Sequence, residues 1–150
     1  MIIDFHTHAF PDALAEKAMP LTGVVFAVDT LEFLHRGGRI GGAKRFLGTA
    51  LNIKPILELK DWRIEAVEQV RTRSKSLARL AELVVQQIGD RRPVHMATLH
   101  ANSPVDAKDL LDRVCAHYPD LADCVFSEIS PAVGANVGPG TVGLAYMAGL

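Results

Sequence analysis

At 150 residues with a net charge of −1, the chain has the size of one domain and no overall attraction to nucleic acid. Hydrophobic residues make up 49% and charged residues 22%, enough apolar matter for a core and too little charge for disorder. No stretch reaches the roughly 18 apolar residues of a membrane span, so a cytoplasmic protein with no membrane span is expected.

Residues 1–20 read apart from the rest. Ile2 to Phe5 resembles a buried strand, His6-Thr7-His8-Ala9-Phe10-Pro11 leads into a short helix over 13–19, and Pro20, Thr22 and Gly23 break the pattern. From Val24 the signals become regular. Val24 to Val28 predicts a strand, and Asp29 caps a helix that has Glu32 at capping-box spacing and ends at Gly37-Gly38. A second helix is expected from Gly41-Gly42 to about Ala50. Residues 53–59 and 63–70 read as a hairpin turning at Lys60-Asp61-Trp62, with Pro55 marking an edge strand or a late start. Thr72 or Ser74 caps a long helix to Ile88, whose Leu77, Leu80, Ala81, Val84 and Ile88 share one face. A strand over 93–99 follows. Ser103-Pro104 with Asp106 opens another helix, with Leu110, Leu111 and Val114 facing inward. Strands over 122–129 and 141–147 close the chain, separated by a glycine-rich loop. This order predicts an α+β fold, a mixed sheet with packed helices. Cys115 and Cys124, nine apart, fit no metal or redox motif; no disulfide is expected and both read as apolar fillers.

Three segments carry candidate chemistry. Gly37-Gly38-Arg39-Ile40-Gly41-Gly42-Ala43-Lys44-Arg45 places three cations where a helix opens, against the dipole preference for acids there, and a bound anion would remove the conflict. A flexible connector with solvated charges explains it equally. Arg71, Arg73 and Lys75 repeat the conflict at the long helix, with surface solubility as the plain alternative. The third segment is Gly134-Ala135-Asn136-Val137-Gly138-Pro139-Gly140, a rigid loop that suits either a ligand site or a structural crossover.

These residues also resemble a family. Val25 to Ile56, with Asp29-Thr30-Leu31-Glu32-Phe33-Leu34-His35-Arg36-Gly37-Gly38-Arg39-Ile40, is similar to the carboxy-terminal domain of the DegV family. So are Leu47-Gly48, Leu51-Asn52-Ile53-Lys54-Pro55-Ile56, Val70-Arg71-Thr72, Leu99-His100-Ala101-Asn102 and Val137-Gly138-Pro139-Gly140. The resemblance covers about residues 22–150. It implies a domain over 21–150 that binds a long-chain fatty acid, is not an enzyme and needs no cofactor. It also implies a bacterial fatty acid kinase catalytic subunit as a partner to which bound acyl chains are presented. By resemblance Arg39 and Arg71 lie near the ligand carboxylate or the kinase-facing surface, with Asn136, Gly138 and Gly140 lining the site. Two departures stand out. Ala135-Asn136 replaces the family's Thr-His, losing a side chain able to carry charge. The family's amino-terminal domain has no counterpart, which leaves one wall of the pocket and an apolar face predicting self-association.

Residues 1–20 resemble a different family, as an amino-terminal extension. Ile2-Ile3-Asp4-Phe5-His6-Thr7-His8-Ala9-Phe10-Pro11 is similar to the first strand of a metal-dependent amidohydrolase of the decarboxylase-like branch. His6 and His8, two apart on a strand, could share one metal. The remaining ligands of such a site come from a barrel of roughly 250 residues, which this chain does not contain. This alternative makes the chain a hydrolase fragment.

Overall fold

The structure is a computed structural model that describes residues 21–48 and 52–149. The amidohydrolase-like segment, His6 and His8 included, lies outside the described residues. Among the described residues six strands form one mixed sheet in the order β3-β2-β1-β6-β4-β5: β1 Thr22–Ala27, β2 Lys54–Lys60, β3 Arg63–Val70, β4 Val94–His100, β5 Asp123–Glu128 and β6 Val142–Ala148. Every neighbouring pair is antiparallel except β4 and β5, whose parallel pairing is bridged by a helix. The helices are α1 Glu32–Arg36, α2 Arg73–Ile88, α3 Pro104–Cys115 and α4 Pro131–Val137, with a 3-10 turn over Gly41–Phe46. The expected α+β sheet with packed helices is the observed architecture.

Side chains on a strand alternate between faces, and here both faces of the central strands are apolar. Val25 and Ala27 of β1, Ile56 of β2, Val94 and Met96 of β4, and Val142, Leu144, Tyr146 and Ala148 of β6 join the inner faces of α2 and α3 in the main core. The expected stripe of α2 is buried in full, as are Leu110, Leu111 and Val114 of α3. Leu57 and Ala66 point the other way and join Val28, Leu31, Leu34, Ile40, Ala43 and Val137 in a second, smaller core. Each such aliphatic side chain contributes about 1.5–3 kcal/mol on burial.

Several local expectations need correction. Asp29 does not cap α1: the helix begins at Glu32 with Leu31 at its N-cap and no side-chain cap, while the Asp29 carboxylate accepts from Lys54 Nζ at 2.9 Å. The second expected helix is only a 3-10 turn of six residues. Strand β2 is internal, flanked by β3 and β1. Pro55 is tolerated because it sits just past the end of the β1 ladder, where only its carbonyl is used, by the Val28 N–H at 3.2 Å. The stretch before β6 is not all loop, since Ser130 accepts from the Val133 amide and Pro131 opens α4.

The two expected capping residues behave differently. Thr72 Oγ1 accepts from the Lys75 amide at 3.3 Å, whereas the Ser103 side chain makes no cap bond. Thr72→Ala should therefore cost about 1 kcal/mol in chemical denaturation, and Ser103→Ala under about 0.5 kcal/mol.

Candidate functional site

The Gly138-Pro139-Gly140 turn is stitched into the end of the sheet. The Gly140 amide donates to the Ala101 carbonyl and the Ala101 amide to the Thr141 carbonyl, both at 2.9 Å. The buried Thr141 hydroxyl lies 2.8 Å from the Gly138 carbonyl and 3.1 Å from that of Val137, closing the turn from inside. Both glycines have φ of +83°. Neither has room for a side chain: the Phe33 ring packs on Gly138, and the Asp29 carboxylate packs on Gly140. Their amides are spent within the protein, since Gly138 donates to Gly134 at 2.8 Å. These glycines permit close packing and are not free anion donors.

Asn136, on α4, rests its side-chain oxygen against Gly37, and its Nδ2 donates to the Ala132 carbonyl at 2.9 Å, leaving one amide proton uncommitted among the described residues. Gly37 is two residues before Arg39, so α4 and the Gly37-Gly38-Arg39 segment meet. Arg39 is exposed and donates to the Gly37 carbonyl at 2.6 Å. It precedes a 3-10 turn and not a long helix, so the helix-terminus argument for an anion does not hold at that position. Arg45 of the same cluster is consumed locally, donating to the Ala66 carbonyl and lying 5.3 Å from the Phe46 ring centre.

The start of α2 is a true helix terminus, and its charge conflict is resolved largely by the protein itself. Arg73 Nε donates to Asp106 at the start of α3, at 2.8 Å, and its NH1 lies 3.8 Å from Asp29. Lys54 completes the group through Asp29. Two carboxylates and two cations thus tie β1, β2, α2 and α3 together, and Asp29 presses the group against Gly140. The buried NH1 and NH2 of Arg73 have no hydrogen-bond partner among the described residues. Arg71, two residues earlier, is exposed and has no ion pair among the described residues. The sequence offers Arg71 and Arg73 alike as cations of the helix start, and nothing local shows that Arg73 joins Lys54, Asp29 and Asp106. These partners lie far along the chain and leave no local signal.

One apolar surface lies largely outside both cores, with only Phe26 of its residues packed against the second. On the sheet face turned away from α2 and α3, in-register rows run across β1, β6, β4 and β5 as Val24, Ala145, Ala97, Val125 and as Phe26, Gly143, Leu99, Ser127. Ala145, Ala97 and Gly143 form the floor of a shallow trough beside Val24, Phe26, Leu99 and Val125, and all of these except the buried Gly143 are partly buried. It continues along β6 from the Gly138-Pro139-Gly140 turn. A separate hollow of about 470 Å³ is bordered by Asp29, Leu31, His35, Phe46, Ile53 and Lys54.

The packing on the turn is testable by two glycine substitutions. Gly138→Ala should lower stability by about 1–3 kcal/mol, because φ is positive and Phe33 occupies the space. Gly134→Ala, in α4 with open space around it, should raise stability by about 0.5–1 kcal/mol. Thermal melts of the two variants measure both.

A family model described as "Uncharacterised protein, DegV family" matches residues 13–149. A DegV domain-containing protein of Streptomyces coelicolor is 45% identical over 130 residues, covering 87% of this chain and 46% of that protein. Protein DegV of Bacillus subtilis is 33% identical over 121 residues, covering 81% and 43%. Among solved structures, a fatty-acid-binding DegV family protein from Thermus thermophilus superposes with a TM-score of 0.86 at 33% identity, over 91% of this chain and 49% of that one. DegV of Bacillus subtilis, described as a fatty acid binding protein, gives 0.77 at 29%, over 93% and 50%. The chain spans about half the length of these relatives. With nearly its whole length matched by the family model and the same fold in these structures, the chain belongs to the DegV family.

Proposed function

We propose that this chain binds a long-chain fatty acid as one wall of the site. The observation that carries the reading is the apolar trough that lies largely outside both cores, running up to the rigid Gly138-Pro139-Gly140 turn. An acyl chain laid on Val24, Ala97, Leu99, Val125 and Ala145 covers surface that otherwise stays half-wet. Arg39 and Asn136 stand at the segment packed against that turn, where they supply a charged fork and one spare amide proton for a carboxylate. The fatty-acid-binding relatives of the same fold support the ligand class.

The finer reading is that of an acyl carrier whose exposed Arg71 faces a fatty acid kinase catalytic subunit. It rests on the family resemblance and on the absence of an ion pair for Arg71 among the described residues. The uncovered face also offers a second copy of the chain a surface for self-association.

Titration with a long-chain fatty acid, followed by native mass spectrometry, tests the site in the chain alone and in the chain joined to a relative's amino-terminal half. One ligand should bind the joined form. Arg39→Gln should weaken it by about 1–3 kcal/mol, the scale of a charge-assisted hydrogen bond. Ala145→Trp, which fills the trough without touching the main core, should abolish it while unfolding stays cooperative. Unchanged affinity in both variants would sink the reading.

We also place the domain boundary after residue 20, because every described core residue lies from Val25 onward. The family match enters the preceding segment at residue 13. Deleting residues 1–20 should leave a single cooperative melt. Loss of cooperativity would assign that segment to the core.

A further inference from the structure

The two cysteines, read from their spacing as separate fillers, meet in space. Cys115 is the last residue of α3 and packs, partly buried, against the main core. Cys124 is the second residue of β5, in register with Met96. Paired residues of parallel strands share a face, and Met96 points into the core beneath α2 and α3. Cys124 therefore points from the sheet edge toward α3, on the same face that Cys115 packs against, and the two thiols are near enough to influence each other's ionisation. The connection between them is held firmly. Tyr118 is buried and donates its amide to the Cys115 carbonyl at 3.0 Å, Leu121 donates to Tyr118 at 3.3 Å, and Ala122 to Val94 at 3.0 Å. The Asp123 carboxylate accepts from the Cys124 amide at 2.9 Å, which fixes the start of β5. Lys108, two helical turns before Cys115 and paired with Asp112, lies within electrostatic reach of both sulfurs.

We propose that Cys115 and Cys124 form a peroxide-sensitive dithiol site that closes into an intrachain disulfide between α3 and the edge strand β5. The two sulfurs have different environments. Cys124 is exposed and is the one a hydroperoxide reaches; Cys115 is shielded, and burial, reinforced by the neighbouring thiol, pushes its pKa up. That division suits an attacking and a resolving thiol. The Cys124 thiolate attacks one oxygen of the hydroperoxide, the O–O bond breaks, and the departing alkoxide or hydroxide takes up a proton. Cys124 is left as a sulfenic acid. Cys115 then gives up its proton and attacks the Cys124 sulfur, the S–O bond breaks, and water leaves. The two thiols together lose two electrons and two protons, the peroxide is reduced to an alcohol or water, and one further water forms. Among the described residues β5 is bonded to the sheet on one side only, by β4, so the bridge would fasten an edge strand. The inference is independent of the lipid reading, because both cysteines lie on the opposite side of the sheet from the trough.

The experiment treats the reduced full chain with hydrogen peroxide at low equivalents. It then measures intact mass, alkylatable thiols and a non-reducing peptide map. The expected product is a monomeric chain lighter by two hydrogens, with no alkylatable thiol and the Cys115 and Cys124 peptides linked. Its melting temperature should exceed that of the reduced chain and fall back on reduction. Cys115→Ser should instead accumulate an oxygen adduct on Cys124, with no rise in melting temperature. Two thiols still alkylatable after treatment, a linkage found only between chains, or wild-type Cys124 oxidised to the sulfinic acid without a bridge would each overturn the proposal.

Discussion

The alternation of side chains along β1, β2, β4 and β6 governs everything else in this fold. Because both sets of side chains are apolar on these strands, the sheet must be covered on two faces, and the chain does so unequally. Two long helices cover one face from end to end. On the other, a five-residue helix, a 3-10 turn and a seven-residue helix reach the β2 and β3 side and Phe26 of β1 among the described residues. A half-covered sheet leaves surface on β6, β4 and β5 that water would rather not touch. The candidate site is a consequence of that shortfall.

Electrostatics hold the two layers in register. Arg73 at the start of α2 opposes the helix dipole, an arrangement that invites an anion. The invitation is met internally by Asp106 from the start of α3 and, more distantly, by Asp29 from the end of β1. Since Asp29 also packs against Gly140, the same group that orders the helices fixes the turn at the end of the trough. Partial exposure of these side chains limits what the ion pairs add to stability, so their value is positional. Arg39 and Arg71, like Arg45 and Arg63, have no ion pair among the described residues.

Much of this was legible in the sequence wherever the signal was local. The stripe of α2, the Thr72 cap, the hairpin at Asp61-Trp62 and the inner face of α3 follow from spacing alone. Helix α4 was also legible, since Ser130-Pro131 repeats the Ser103-Pro104 signature, but Gly134 and the following glycines masked it as loop. Where the answer depended on residues distant in sequence, local reading failed. Asp29 sits at ideal capping spacing yet is drawn to Lys54, 25 positions away. Pro55 looks like an edge residue because nothing nearby shows that the β1 ladder ends beside it. The meeting of Cys115 and Cys124 depends on the parallel register of β5 against β4, which no spacing rule contains.

The length of the relatives bears on how such a half-covered sheet could hold an acyl chain. Burying a methylene completely contributes about 0.8 kcal/mol. A chain laid on one shallow wall keeps its outer side in water and gains only about half of that for each carbon, while still losing translational freedom on binding. A second wall over the trough would cover the outer side of the ligand and the half-wet side chains of β4, β5 and β6 together. Ligand and second wall would therefore reinforce each other, each raising the other's affinity by the surface they share. The fatty-acid-binding relatives are about twice as long as this chain. On this account their additional half would act on affinity chiefly by closing the trough, and the wall described here would set where the acyl chain lies and which end meets the Gly138-Pro139-Gly140 turn.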